Sequence, residues 1–214
     1  MIKKQKNNSQ IREIILNHIN NHIKQYIIVI LLFMIGIIIG ILLIKNSSNY
    51  IKSEINNYMN TFTYNLKGES IINKHKLLFS SIKNNLKTTV LMWFMGSTVI
   101  GIPIVLGIII FKGICIGYTV SSLIGVFGVK SGMTISFLSI FIQNIILIPA
   151  FWALGVSGLD LYKVITKNRH RENVKIEILR HTVFSSIIFC FILISCFIES
   201  YVSSTLTEWY VNLM

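Results

Sequence analysis

TTVLMWFMGSTVIGIPIVLGIIIFKGICIGYTVSSLIGVFGVKSGMTISFLSIFIQNIILIPAFWALG, Thr88 to Gly155, runs for 68 residues without an acidic side chain and with only two charges, Lys112 and Lys130. The two lysines divide it into apolar-dominated runs of 24, 17 and 25 residues. At 1.5 Å per residue, about 20 helical residues span a hydrocarbon core about 30 Å thick. Three consecutive runs of this kind read as membrane-crossing helices, so lipid is the solvent against which the chain must be read.

Outward from that stretch, two further runs complete the set. Gln25 to Ile44 is uncharged over 20 residues, and His181 to Ile198 adds 18 if the histidine is neutral. The expected fold is all-α: a polytopic membrane helical bundle of about five transmembrane helices with amphipathic interfacial helices. The expected segments are a cytoplasmic amphipathic arm (1–24), a first span (25–44) and an extracytoplasmic loop (45–87). Three spans (88–111, 113–129 and 131–155), a basic cytoplasmic loop (156–180), a fifth span (181–198) and an extracytoplasmic tail (199–214) follow. The first span is too long for a cleavable signal and has no small-x-small site after it, so it reads as an uncleaved anchor. No room is left for a separate soluble domain of about 50 residues.

Net charge is +12. Because the basic residues flank the spans, the expected partner is anionic membrane lipid and not nucleic acid. Lysine and arginine bias orients the chain. The arm carries Lys3, Lys4, Lys6, Arg12 and Lys24, and the 156–180 loop carries Lys163, Lys167, Arg169, Arg171, Lys175 and Arg180. The tail has only Glu199 and Glu208. Arm and second loop inside, tail outside, agree with an odd number of crossings. Seven lysines in the 45–87 loop run against that placement, although the charge rule weakens over a long loop. Within this loop Ile51, Ile55, Tyr58, Met59 and Phe62 recur at helical spacing, as do Phe79, Ile82 and Leu86. The arm repeats the pattern at Ile11, Ile14, Ile15, Ile19 and Ile23. All three read as amphipathic helices.

In lipid, helices associate through small residues that let backbones approach. Gly113, Gly117, Ser121 and Gly125 form such a stripe, Gly36 and Gly40 a second, and Gly128 and Gly132 a third. Each serves either packing within the chain or a seam for a homodimer or another protein's span. Pro103 and Pro149 are expected to kink the second and fourth spans, as in ordinary bundles and in the broken helices of transporters. Gln143 and Asn144 are the most polar side chains deep in a span and should face protein. No Asp, Glu or Arg is expected in mid-membrane. Cys115, Cys190 and Cys196 read as reduced, packed cysteines; the last two lie about 240° apart on a helix. His18 and His22 share a helix face without a third ligand, so neither a metal nor any other cofactor is expected. No Walker, GxSxG or HExxH motif is present.

Several of these residues fall into a family pattern. Phe79-x-x-Ile82-x-Asn84-Asn85-Leu86 leads into an apolar span that carries Gly101-x-Pro103. Phe111-Lys112-Gly113 with Gly117 follows, then Gln143-Asn144 and Ile148-Pro149-Ala150. Along its whole length the chain resembles the stage II sporulation protein M family. It lacks the acidic residue that many wider-family members carry near Gln143–Leu147, and so is similar to the endospore-forming branch. The resemblance implies an integral membrane protein needed when the mother cell engulfs the forespore, located in the cell membrane at the sporulation septum and engulfing membrane. It implies a complex with two peptidoglycan-degrading partners, stage II sporulation proteins D and P. The expected role is a noncatalytic scaffold, with Asn84 and Asn85 at the entry to the second span and the Gly113–Gly125 stripe as partner seams. A small permease-like transport subunit is the alternative. An intramembrane enzyme would need paired acids, a Ser/His or Ser/Lys pair or a ligand set that the spans do not show.

Overall fold

The structure, a computed structural model, describes residues 22–67, 73–167 and 171–213. Among them there is no strand. Helix α1 is Ile23–Lys45, α2 Asn49–Lys67, α3 Lys74–Gly96 and α4 Ile102–Ser136. A π-helical segment, Phe137–Phe141, leads into α5, Ile142–Lys167. Helix α6 is Arg171–Phe197, continued by a second π-helical segment, Ile198–Ser203, and by α7, Ser204–Leu213. Most of the expected arm lies outside the described residues, as do His18 and positions 68–72 and 168–170.

The helix boundaries follow local chemistry. Asn73 caps α3 by accepting from the Lys76 amide at 3.0 Å. No glycine or proline interrupts Lys74–Met95, so the expected second amphipathic helix and the start of the expected second span are one rod. Lys83 and Lys87 lie on its exposed side. The rod stops at a turn, Ser97–Gly101. The Thr98 amide donates to the Met95 carbonyl at 3.0 Å, and the Gly101 amide to the Thr98 carbonyl at 3.2 Å. A Cβ on Gly101 would run into that same Met95 carbonyl. Pro103 is therefore the second residue of α4, where its missing N–H costs nothing, and not a kink within a continuous span. Lys112, expected between two spans, lies inside α4. Pro149 does sit within a helix, on the exposed face of α5.

Helix α4 folds back on itself at Gly128, whose φ of 78° and ψ of 170° suit only glycine. After this reversal Gly132 packs against the backbone of Leu123 and Ile124, where a Cβ would come within 2.6 Å. Gly128 and Gly132 thus form a helical hairpin and not a small-residue pair on one face.

Three stretches, Ile23–Lys45, Ile102–Thr166 and Val174–Leu213, are long and apolar enough to cross a membrane. Their outward side chains are large and apolar: Leu31, Ile35 and Ile38 on α1, and Val183, Ile187 and Phe191 on α6, are each about half exposed. Lipid is the solvent in which that exterior carries no penalty. The chain is an all-α membrane helical bundle. Its main core gathers Val29 and Phe33 of α1, Met92 of α3, Val105 and Ile109 of α4, Leu147, Phe151 and Leu154 of α5, and Ile188 and Ile192 of α6. The Phe33 and Trp152 rings meet edge to face at 5.4 Å, fixing α1 to α5.

Contacts at the two ends give the helix directions. At one end Gln25 meets Asp160, and Gly96 lies against Gly158 and His181. At the other end Lys74 Nζ donates to Thr205 Oγ1 at 2.8 Å, and Ser81 meets Glu199. So α1, the first arm of α4, and α6 run one way, while α3 and α5 run the other. Beyond the second end a small core of Leu123, Ile135 and Val211, with Met59 against it, joins α2, α4 and α7.

Candidate functional site

Polar side chains from four helices converge inside the bundle near the α7 end. From α3, Ser81 Oγ donates to the Glu199 carboxylate, and Asn85 Nδ2 reaches Ser81 Oγ at 3.4 Å and Cys196 Sγ at 3.5 Å. From α6, Ser195 Oγ donates to the Gln143 carbonyl at 2.9 Å. On α5 the neighbouring amides divide: the Gln143 side chain interacts with Glu199, while Asn144 faces a small cavity beside Lys112. Asn144 Nδ2 also donates to the Ile140 carbonyl at 2.8 Å. From α4, Lys112 reaches over the Phe151 ring, 4.9 Å from its centroid.

This arrangement brings an acid, a base and two amides into the interior of one bundle. A lone charge at the centre of a membrane helix costs about 3 kcal/mol on insertion scales. Here Ser81 and Gln143 solvate Glu199, and the aromatic face of Phe151 solvates Lys112. Each charge also offsets the other. Such a cluster fixes the register of the helices that supply it, because sliding any one of them strands a charge in apolar surroundings.

Both π-helical segments border the cluster. Ser203 Oγ donates to the carbonyls of Leu138 and, at 3.0 Å, Ser139, so one widened turn is tied to the other. A π turn replaces i→i+4 bonding with i→i+5, which shifts the side chains that follow it. Glu199 is the second residue of such a turn. Ser200, next to it, is fully buried.

The small-residue positions have other tasks. Gly36 and Gly40 of α1 face Gly113 and Gly117 of α4 in the most extensive helix pairing of the bundle. A Cβ on Gly36 would lie 3.2 Å from the Gly113 Cα, and one on Gly117 would lie 3.0 Å from the Ile37 Cα. Of the eight small residues, Gly36, Gly40, Gly113 and Gly117 therefore serve packing of helix on helix within the chain, and Gly132 serves the hairpin. Ser121 is partly buried, and Gly125 is exposed with open space where a Cβ would stand. Asn85 belongs to the polar cluster, whereas Asn84, about 100° round α3, is exposed. Cys196 is buried, but Cys115 and Cys190 face outward. His22 contacts Gln25 at 2.9 Å and Asp160 at 3.3 Å. Among the described residues no group of three or more His, Cys, Asp or Glu side chains gathers as a metal site.

Sequence reasoning reached Asn85, Gln143 and Asn144 but missed Lys112 and Glu199. From sequence alone Lys112 is a separator between spans and Glu199 the first residue of a tail. The available signal was Phe197-Ile198-Glu199-Ser200-Tyr201-Val202, where one acid sits in an apolar run without any helix breaker.

An all-α bundle with an apolar exterior and a charged interior defines an integral membrane protein. Its family follows from sequence comparison: the chain belongs to the Stage II sporulation protein M family, whose model matches residues 29–204. It is thus a sporulation-related membrane protein. No curated protein and no solved structure matches the chain.

Proposed function

We propose that this chain is a noncatalytic, multi-pass scaffold of the cell membrane. It holds the peptidoglycan-degrading stage II sporulation proteins D and P at the septum and engulfing membrane during forespore engulfment. The family match over residues 29–204 carries this reading. The alternating directions of α1, α3, α4, α5 and α6 support five crossings, with the 156–180 segment in the cytoplasm and α2 and α7 outside. At that outer end Tyr50, Tyr58 and Tyr64 of α2 are exposed by 71%, 71% and 78%, and Trp209 of α7 by 61%. Exposed tyrosine and tryptophan supply rigid anchors in protein interfaces. Affinity purification from sporulating cells should recover both partners. Replacing Tyr58 and Tyr64 together by alanine should cut recovery about tenfold while insertion stays normal. If the wild-type chain recovers neither partner, the scaffold reading fails.

One observation favours a second reading, a permease-like subunit: Lys112 and Glu199 place opposite charges inside the bundle, where transporters often keep ionisable groups. Proteoliposomes that accumulate a solute, and lose that ability with Glu199→Gln, would select it.

A further inference from the structure

We propose that the crevice between α5 and α6, at the end opposite the Lys112–Glu199 cluster, binds a single phospholipid with an amino headgroup, of the phosphatidylethanolamine class. The cavity measures about 480 Å³, inside the range of about 300–1,000 Å³ usual for small-molecule sites. Ala153 and Ser157 are the small residues on the α5 wall of the cavity. Val156, Leu161 and Ile188 are buried along it, and Phe184, Ile187 and Phe191 line its apolar length.

The slot has the dimensions of a lipid from one leaflet. Its α6 wall extends from Glu177 to Phe191, about 21 Å at 1.5 Å per residue. Half of a hydrocarbon core is about 15 Å, which leaves about 6 Å for the glycerol and headgroup. Polarity is confined to one end, where Asp160, Glu177 and Arg180 surround the mouth and Ser157 Oγ meets His181 Nδ1 at 2.8 Å. A lipid has this one-ended polarity.

The charges at the mouth select the headgroup. Arg180 is 69% exposed and reaches Glu177 only at 3.4 Å, so its guanidinium is presented to a phosphodiester. Glu177 and Asp160, 26% and 33% exposed, also line the mouth; Glu177 is the Arg180 partner, and Asp160 meets His22 Nδ1 at 3.3 Å and Gln25 Nε2 at 3.5 Å on one oxygen. They suit an ammonium carried just beyond the phosphate. A headgroup with phosphate but no amine would set its charge against two carboxylates. The neighbouring basic segment attracts anionic lipids in general; this mouth asks for both signs in one molecule.

The test uses the full chain in mild detergent, titrated with phosphatidylethanolamine or phosphatidylglycerol of identical acyl chains and read by native mass spectrometry. One saturable phosphatidylethanolamine adduct is expected, with phosphatidylglycerol binding about tenfold more weakly. Arg180→Gln should weaken the phosphatidylethanolamine adduct about tenfold. Asp160→Asn combined with Glu177→Gln should abolish the headgroup preference. Ala153→Leu should fill the slot and remove the adduct; because that variant alters the interior, exposed Arg180→Gln serves as the independent reading. Equal or tighter binding of phosphatidylglycerol by the wild-type chain would overturn the proposal. So would an adduct indifferent to Arg180→Gln, or crosslinking from Phe191→Cys that captures a second copy or another helix in the slot.

Discussion

At the scale of single residues, the close approach of α1 and α4 leaves no room for side chains at Gly36, Gly40, Gly113 and Gly117. Gly117→Leu must push the two backbones apart, an overpacking cost of about 1–3 kcal/mol. Thermal unfolding in detergent should then shift downward by about 5 °C. Gly125→Leu, with nothing near its added carbon, should leave the transition in place. Gly128→Val forces a β-branched residue to a φ of 78° and should cost about 1–3 kcal/mol by the same assay. The charge cluster makes a different kind of prediction. Lys112→Met and Glu199→Gln should each destabilise the bundle, and the double variant should lose less than the sum. A coupling of about 1 kcal/mol is expected from the double-mutant cycle. Strict additivity would mean that the two charges do not sense one another.

Among the elements, the π-helical turns bind α5 to the α6–α7 rod through one hydroxyl. Ser203→Ala removes its donation to Leu138 and Ser139, a loss of about 1 kcal/mol. Hydrogen exchange should speed up in 137–141 and 198–203 while α1 stays as protected as before. At this scale sequence and structure part company in an instructive way. The α1 helix was legible because an uncharged run between polar flanks has one reading in lipid. The Gly36/Gly40 and Gly113/Gly117 pairs were legible as close-packing sites, though not as each other's partners, since a stripe on one helix does not name its mate. The break at Ser97–Gly101 was hidden because Gly101 and Pro103 suggest a kink and a turn equally well, and Lys112 offered a more obvious division. Only the fold reveals that this lysine has a carboxylate and an aromatic ring to face. Glu199 is obscured for a related reason: a π turn leaves no composition signal, so the end of an apolar run looks like the end of a helix.

For the molecule as a whole, helix directions determine which segments share a side. Single cysteines placed at Lys175 and Trp209, in a chain freed of Cys115, Cys190 and Cys196, should react with an impermeant maleimide from opposite faces of the membrane. Labelling of both from outside intact cells would require an even number of crossings and a different assembly of the same helices. The parallel pairing of α1 with α4 has a further consequence for biosynthesis. The first helix leaves the ribosome more than 50 residues before the helix that covers its glycine face, and α2 and α3 are made in between. Until α4 arrives, nothing from the nascent polypeptide can close that face, so a chain truncated after α3 would present an unclaimed groove to whatever membrane quality-control machinery surveys newly inserted segments.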